Sequence, residues 1–226
     1  MKLLIGLPTM EHMRRAEFVT HFMALQKPDN SLFVAVHGQS PASGRNFIIQ
    51  QAIEQECTHI FFIDDDVVPP QDAILKLLAH DKDIVTGLYL MRSFPHYPVL
   101  FDEAFDDGKC KFMYLTPDQQ GLVPIVNCGL GLCVIKTDVF RKLEKPWIRL
   151  GEIEKDGWCD DVGFFNRARN AGFKLYCDLS VQAGHMLNPV AWPIWSDEKK
   201  QWLTQYRYPQ GNIEFPQNVP EMVGAK

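Results

Sequence analysis

Apolar runs of four to seven residues alternate with helix-like stretches through the first ninety residues, and this rhythm narrows the possible folds more than any other property of the chain. Lys2 to Gly6, Ser31 to Val36, Thr58 to Asp64 and Ile84 to Leu90 read as strands. Glu11 to Leu25, Gly44 to Glu56 and Gln71 to His80, which separate them, read as helices. Parallel neighbours need a crossover, and a crossover helix buries its apolar stripe against the sheet, so this order predicts an α/β chain with a mostly parallel central sheet flanked by helices. Strands buried on both faces are continuously rich in Ile, Val and Phe, so that content carries no chemistry by itself.

The rhythm fades after residue 92. Short β-like pieces at Val99 to Phe101 and Lys111 to Leu115 are punctuated by Pro95, Pro98, Gly108 and Pro117, which predicts a smaller, partly antiparallel portion. A strand at Leu132 to Ile135, a helix at Thr137 to Leu143, a helix from about Asp161 to Ala171 and a strand at Lys174 to Asp178 follow. Beyond His185 the chain carries Pro189, Pro193, Pro209, Pro216 and Pro220 among tryptophans and tyrosines. This tail is expected to wrap over the rest, with one short helix near Asp197 to Tyr206. No repeat or linker interrupts the sequence. It therefore reads as one domain over 1–186, with halves 1–92 and 93–186, and a packing tail over 187–226.

Composition removes several function classes. With 226 residues, 46% of them apolar, the chain can bury a sizeable core. Its formal charge of -5 lacks the positive field that drives unspecific nucleic-acid binding. The six cysteines show no C-x-x-C pair and no metal-finger spacing, which fits reduced intracellular thiols. Leu3 to Ile5 is too short for a signal-peptide core, and the run Ile60 to Ile63 is far short of a membrane span, so a soluble chain without a transmembrane segment is expected.

The sharpest chemical signal is Asp64-Asp65-Asp66, placed directly after the apolar strand. Adjacent carboxylates repel one another wherever water is scarce, so they need a cation, donors or solvent nearby. In open parallel sheets ligands gather beyond the carboxyl ends of strands, and strand alternation puts Asp64 and Asp66 on a common side. A divalent ion there can bridge carboxylate and phosphate oxygens. A solvated turn that caps the following helix is the alternative.

Two later features bear on that choice. Asp160-Asp161 falls where a helix should start; one aspartate there is an ordinary cap, and a second can project into a cleft as a base. His185 follows a strand, and imidazole beside an aspartate makes a mixed nitrogen and oxygen site suited to manganese. A lone histidine is more often a surface or satisfied core residue.

Taken in order, these segments resemble the glycosyltransferases of the GT-A fold, family 2-like, as found in small bacterial and phage-type nucleotide-sugar transferases. Ile5 to Thr9 resembles the family's first strand and nucleotide-facing loop, and Gly44-Arg45-Asn46 its Arg-Asn segment. Asp64-Asp65-Asp66 matches the D-x-D motif, Cys128 to Gly131 the glycine-bearing acceptor-side segment, and Trp158 to Phe165 with Gly172-Phe173-Lys174 the acidic catalytic helix and its return strand. The likeness spans about Lys2 to His185. It implies a nucleoside-diphosphate sugar held through base and ribose by Pro8, Thr9, Arg45 and Asp64, with Asn46 and Asp65 beside them. It implies Mn2+ or Mg2+ on Asp66 and His185, with Asp64 as a further ligand. Asp161 or Asp160 would be the base that deprotonates a hydroxyl acceptor in an inverting transfer. Where many relatives have Glu-Asp this chain has Asp160-Asp161, which leaves open which of the two serves and whether the transfer inverts or retains.

Gly87, Tyr89 and Arg92 border the sugar or acceptor pocket in this reading, although Gly87 can equally relieve crowding and Arg92 can be a surface charge. Gly129 and Gly131 permit close backbone approach to a sugar or simply form a bulge. Trp158, Trp192, Trp195 and Trp202 can stack on sugar rings, though packing at the core edge is the commoner role. The resemblance implies a hydroxyl acceptor, whether glycan, lipid-linked saccharide, protein side chain or hydroxylated DNA base, and as its expected setting the cytoplasm of a bacterium or of a phage-infected host cell. Two rivals remain: a nucleotidyltransferase or nucleotide-sugar hydrolase, and a catalytically silent nucleotide- or glycan-binding module. The lack of a glycine-rich phosphate loop with lysine near the first strand speaks against nucleotidyl transfer.

Overall fold

The computed structural model describes residues 1–9, 16–92, 96–104, 110–116, 118–149, 160–187, 190–208 and 211–216. The first half contains β1 (Leu3–Thr9), α1 (Ala16–Ala24), β2 (Ser31–His37), α2 (Pro41–Glu54), β3 (His59–Ile63), β4 (Val67–Val68), α3 (Ala73–Ala79) and β5 (Ile84–Leu88). There follow β6 (Leu100–Ala104), β7 (Cys110–Phe112), β8 (Leu122–Ile125), β9 (Asn127–Cys128), β10 (Leu132–Lys136), α4 (Thr137–Lys142) and α5 (Asp160–Asn170). The last strands are β11 (Leu175–Gln182), β12 (Gly184–Met186), β13 (Val190–Ser196), β14 (Gln201–Tyr208) and β15 (Gly211–Pro216).

A seven-stranded sheet in the order β2-β1-β3-β10-β5-β11-β8 forms the centre. β1 runs parallel to β2 and β3, and β5 runs parallel to β11. Between β3 and β5 lies β10, antiparallel to both, so β1, β3, β5 and β11 all point the same way and end at one edge. Alternation along β3 shows that both faces are covered. Ile60 and Phe62 join one apolar cluster with Ile48 and Ile49 of α2 and Phe164 of α5. Phe61 and Ile63 join another with Phe18 of α1 and Ile74 and Leu77 of α3. The mostly parallel α/β sheet read from the sequence is therefore the architecture, and the smaller antiparallel portion is the sheet β7-β6-β9.

α2 begins three residues before the predicted Gly44. Ser40 caps it by accepting from the Ser43 amide at 3.3 Å, and Pro41 occupies the first helical position, where a missing N–H costs nothing. The predicted helix near Asp197 to Tyr206 is absent. Its charged start makes a turn, with Lys200 at φ 50°, and β14 then pairs with β13 in the register Trp195↔Trp202 and Ile194↔Leu203. Trp, Thr and Tyr suit a pleated, half-buried surface, and that pairing overrides the helix-like charge pattern. These strands continue a second sheet, β15-β14-β13-β12-β4. Among the described residues no helix is long and apolar enough to cross a membrane.

Candidate functional site

The acidic triplet sits at the carboxyl end of β3, where the chain turns. The Val67 amide donates to the Asp64 carbonyl at 3.1 Å, and the Asp64 amide to the Gly131 carbonyl at 3.0 Å. Strand alternation stops applying at that turn. The three side chains accordingly go to separate partners rather than leaving Asp64 and Asp66 as one ligand pair.

Asp64 belongs to a buried cluster. Arg45, 5% exposed, donates from Nη2 to Asp64 Oδ1 at 2.9 Å and Oδ2 at 3.1 Å, and from Nη1 to Asp161 Oδ1 at 2.9 Å. Asp161 Oδ2 accepts from the Leu130 amide at 3.0 Å. Burial works against the Arg45 charge, but Asp161 and then Asp64 more than offset it, so its pKa rises above the ordinary arginine value. Burial pushes the Asp64 pKa up; Arg45 opposes this, while Asp66 and Asp161 add to it. Arg45 Nε has no acceptor among the described residues. Tyr89, just beyond β5, lies against this group. Burial first, then Asp64 and Asp161, push its phenol well above the usual range, so it stays neutral, and its oxygen accepts from the Gly131 amide at 3.2 Å.

Asp66 belongs to a second, more open cluster. Arg92, with 63% of its side chain exposed, donates to Oδ2 at 2.8 Å. His185 Nε2 faces Oδ1 at 3.4 Å, while its Nδ1 lies 2.6 Å from the Leu90 carbonyl. A carbonyl can only accept, so Nδ1 carries a proton. Burial alone would raise the Asp66 pKa; the contact with His185, the charge of His185 and then that of Arg92 outweigh it and hold the pKa below the ordinary value. The Tyr89 and His185 rings, 5.5 Å apart and edge to face, join the two clusters. Asp65 turns to the end of β1, where Thr9 Oγ1 donates to Oδ2 at 2.5 Å.

Other residues singled out from the sequence have packing roles. Asn46 spends its side chain on the backbone: Nδ2 donates to the Ala42 carbonyl at 2.9 Å and the Ile148 carbonyl at 2.6 Å, and Oδ1 accepts from the Ile148 amide at 3.0 Å. Pro8 is buried in β1, where a Cβ on Gly44 would stand 3.3 Å from its own Cβ. Gly87 lies inside the sheet; a Cβ there would meet Leu132 Cδ2 at 2.6 Å and the Val181 carbonyl at 2.8 Å. A Cβ at Gly129 would come within 2.2 Å of the Tyr89 hydroxyl, and one at Gly131 within 3.0 Å of both that hydroxyl and Asp64 Oδ2. Both glycines make room for the cluster. Asp160 opens α5, half-buried, with no hydrogen bond among the described residues. Trp158 lies outside the described residues.

Among the described residues no three His, Cys, Asp or Glu side chains form a group able to hold a metal ion. Asp66 and His185 make a pair, and Asp64, the third ligand expected from the resemblance, gives both oxygens to Arg45. The contributions of the Leu90 carbonyl and Leu130 amide have no sequence signal, because a main-chain group looks the same at every position.

No family model matches the chain, and no curated protein does. Solved structures do match. The crystal structure of A197 from STIV superposes with a TM-score of 0.63 at 19% identity, over 89% of this chain and 93% of that one. The crystal structure of GalNAc-T7 with UDP, GalNAc and Mn2+ superposes with a TM-score of 0.54 at 12% identity, over 81% of this chain and 43% of that one. At such identities the likeness shows the fold, which is GT-A-like.

Proposed function

We propose that this GT-A-like chain is a glycosyltransferase that moves a sugar from a nucleoside-diphosphate donor to a hydroxyl acceptor, with Asp66 and His185 holding Mn2+ or Mg2+. The observation that carries the reading is the His185 ring. With Nδ1 committed to the Leu90 carbonyl, the ring turns Nε2 toward Asp66 Oδ1 at 3.4 Å, and an imidazole nitrogen and a carboxylate oxygen at that separation can share one cation. The donor set, one imidazole nitrogen and one carboxylate oxygen, suits manganese and leaves room for phosphate and water. Bound there, the ion would offset charge that grows on the departing nucleoside diphosphate. The match to a structure holding UDP and Mn2+ supports the donor class.

The chain's own residues have the following parts in this reading. Arg92, with 63% of its side chain exposed, turns from Asp66 to a phosphate oxygen, which its planar fork fits. Thr9 and Asp65, at the ends of neighbouring strands, face the nucleoside. Arg45 holds Asp64 and Asp161 in place. The base role goes to Asp160, because Asp161 already has both oxygens engaged, whereas a base needs an open lone pair within reach of the hydroxyl. Cys57, Cys110, Cys128, Cys133 and Cys177 are free thiols, which supports work in a reducing cytoplasm.

A thermal-shift screen with manganese and the diphosphates of uridine, guanosine, cytidine and adenosine tests this. One diphosphate should raise the melting temperature only when metal is present, and Asp66→Asn should abolish that rise while the protein stays folded. Indifference to every pair, or an undiminished response in the variant, rules the reading out.

A further inference from the structure

Away from both acidic clusters, a cavity of about 290 Å3 opens between the loop leading into β8, the end of β11 and the β13–β14 hairpin. Its walls include Trp195, Trp202, Gln119, Gln120, Gln182 and Ser180, and among the described residues none of its lining side chains is charged. The two indoles lie 5.8 Å apart at 71°, so they offer two nearly perpendicular apolar surfaces. Trp195 is fixed in that pose by donating Nε1 to Asp197 Oδ1 at 3.0 Å. Gln119 is fixed by its Oε1, which accepts from the Thr116 amide at 2.8 Å, and this leaves its amide N–H groups to donate. Gln182 is fixed the other way round: Nε2 donates to the Leu179 carbonyl at 3.2 Å, leaving Oε1 as an acceptor.

We propose that this cavity binds a short neutral saccharide. A pyranose presents an apolar C–H face, which stacks on an aromatic ring, and a rim of hydroxyls that both donate and accept, which primary amides satisfy in both senses. The volume lies at the small end of ligand sites, enough for a short saccharide and little more. An anionic ligand would lose its hydration without meeting a cation among the described lining residues. A nucleotide would stack too, but among the described residues no basic side chain lines the wall to take its phosphates. β11 links the cavity to the acidic edge along the chain: Gln182 pairs in register with Leu88, and His185 lies three residues further along.

The full chain, without metal or nucleotide, is titrated with methyl β-glucopyranoside, methyl β-galactopyranoside, N-acetylglucosamine, glucuronate and uridine, following tryptophan fluorescence and saturation-transfer NMR. At least one neutral sugar should bind saturably. Trp202→Ala should weaken it by about tenfold or more, and so should the double variant Gln119→Ala with Gln182→Ala, whose half-exposed positions leave the fold intact. Flat titrations with all three neutral sugars overturn the proposal. So does binding that is undiminished in the glutamine variant, or uridine or glucuronate binding as tightly as the best neutral sugar. Because neither metal nor nucleotide is present, such a failure leaves the transferase reading to its own test.

Discussion

Arg45 faces two aspartates from a position where only 5% of it meets water, and the three charges are tolerable together only because each one's desolvation is offset by the others. Arg45→Met leaves Asp64 and Asp161 close to one another without their cation and should cost about 3–5 kcal/mol of unfolding free energy, measured in urea. The loss should depend on pH in a defined sense. The Asp64 pKa is already raised by burial, and removing Arg45 takes away the largest opposing influence. A group whose folded pKa is raised favours the fold while it is protonated, so the variant's deficit should shrink below the unfolded carboxylate value of about 3.9 and grow as pH rises. A deficit under about 1 kcal/mol at neutral pH would show that the cluster is not the buried unit described here. The resemblance had placed Arg45 and Asn46 on a bound nucleotide. Their partners, Asp161 and Ile148, lie more than a hundred residues away in the chain, and nothing in a linear pattern indicates which distant group a side chain will meet.

Helices and strands were more legible than their neighbours. The alternation of apolar runs marked β1, β2, β3 and β5 because burial on both faces leaves a strong local imprint. That β10 would insert between β3 and β5 was not readable, since pairing depends on chain separated by some seventy residues. The contact between the end of α3 and β11 is of the same long-range kind. His80 Nε2 lies 2.8 Å from Asp178 Oδ2, and the Ser180 amide donates to Oδ1 at 2.9 Å. Burial would raise the Asp178 pKa, but the bonds from His80 and Ser180 outweigh it and hold the pKa below the ordinary value. A lowered pKa means that the stabilisation is present above the unfolded value of about 3.9 and is lost as pH falls through the folded one. Asp178→Asn should therefore cost about 1–3 kcal/mol at neutral pH and flatten the acid limb of the stability curve between pH 5 and 2. An unchanged acid limb would mean that Asp178 does not tie α3 to the sheet.

Across the fold as a whole, the acidic motif and His185 were legible for one topological reason: β1, β3, β5 and β11 end at the same edge, so residues just past parallel strands gather there. What joins them is backbone. β12 pairs with β4 through Gly184↔Val68 and His185↔Val67, and the Met186 amide donates to the Asp66 carbonyl at 2.6 Å. The second sheet thus begins at the two proposed ligands. A cation shared by Asp66 and His185 would fasten β12 to β4 as well as bind donor, and hydrogen exchange can detect that fastening separately from nucleotide contact. Manganese alone should slow exchange in peptides covering 67–68 and 184–186, and leave β2, an edge strand of the central sheet, unchanged. If manganese and the diphosphate raise the melting temperature while 184–186 exchanges as before, the ion sits elsewhere, and the Asp66 and His185 pair is only a salt bridge at the seam between two sheets.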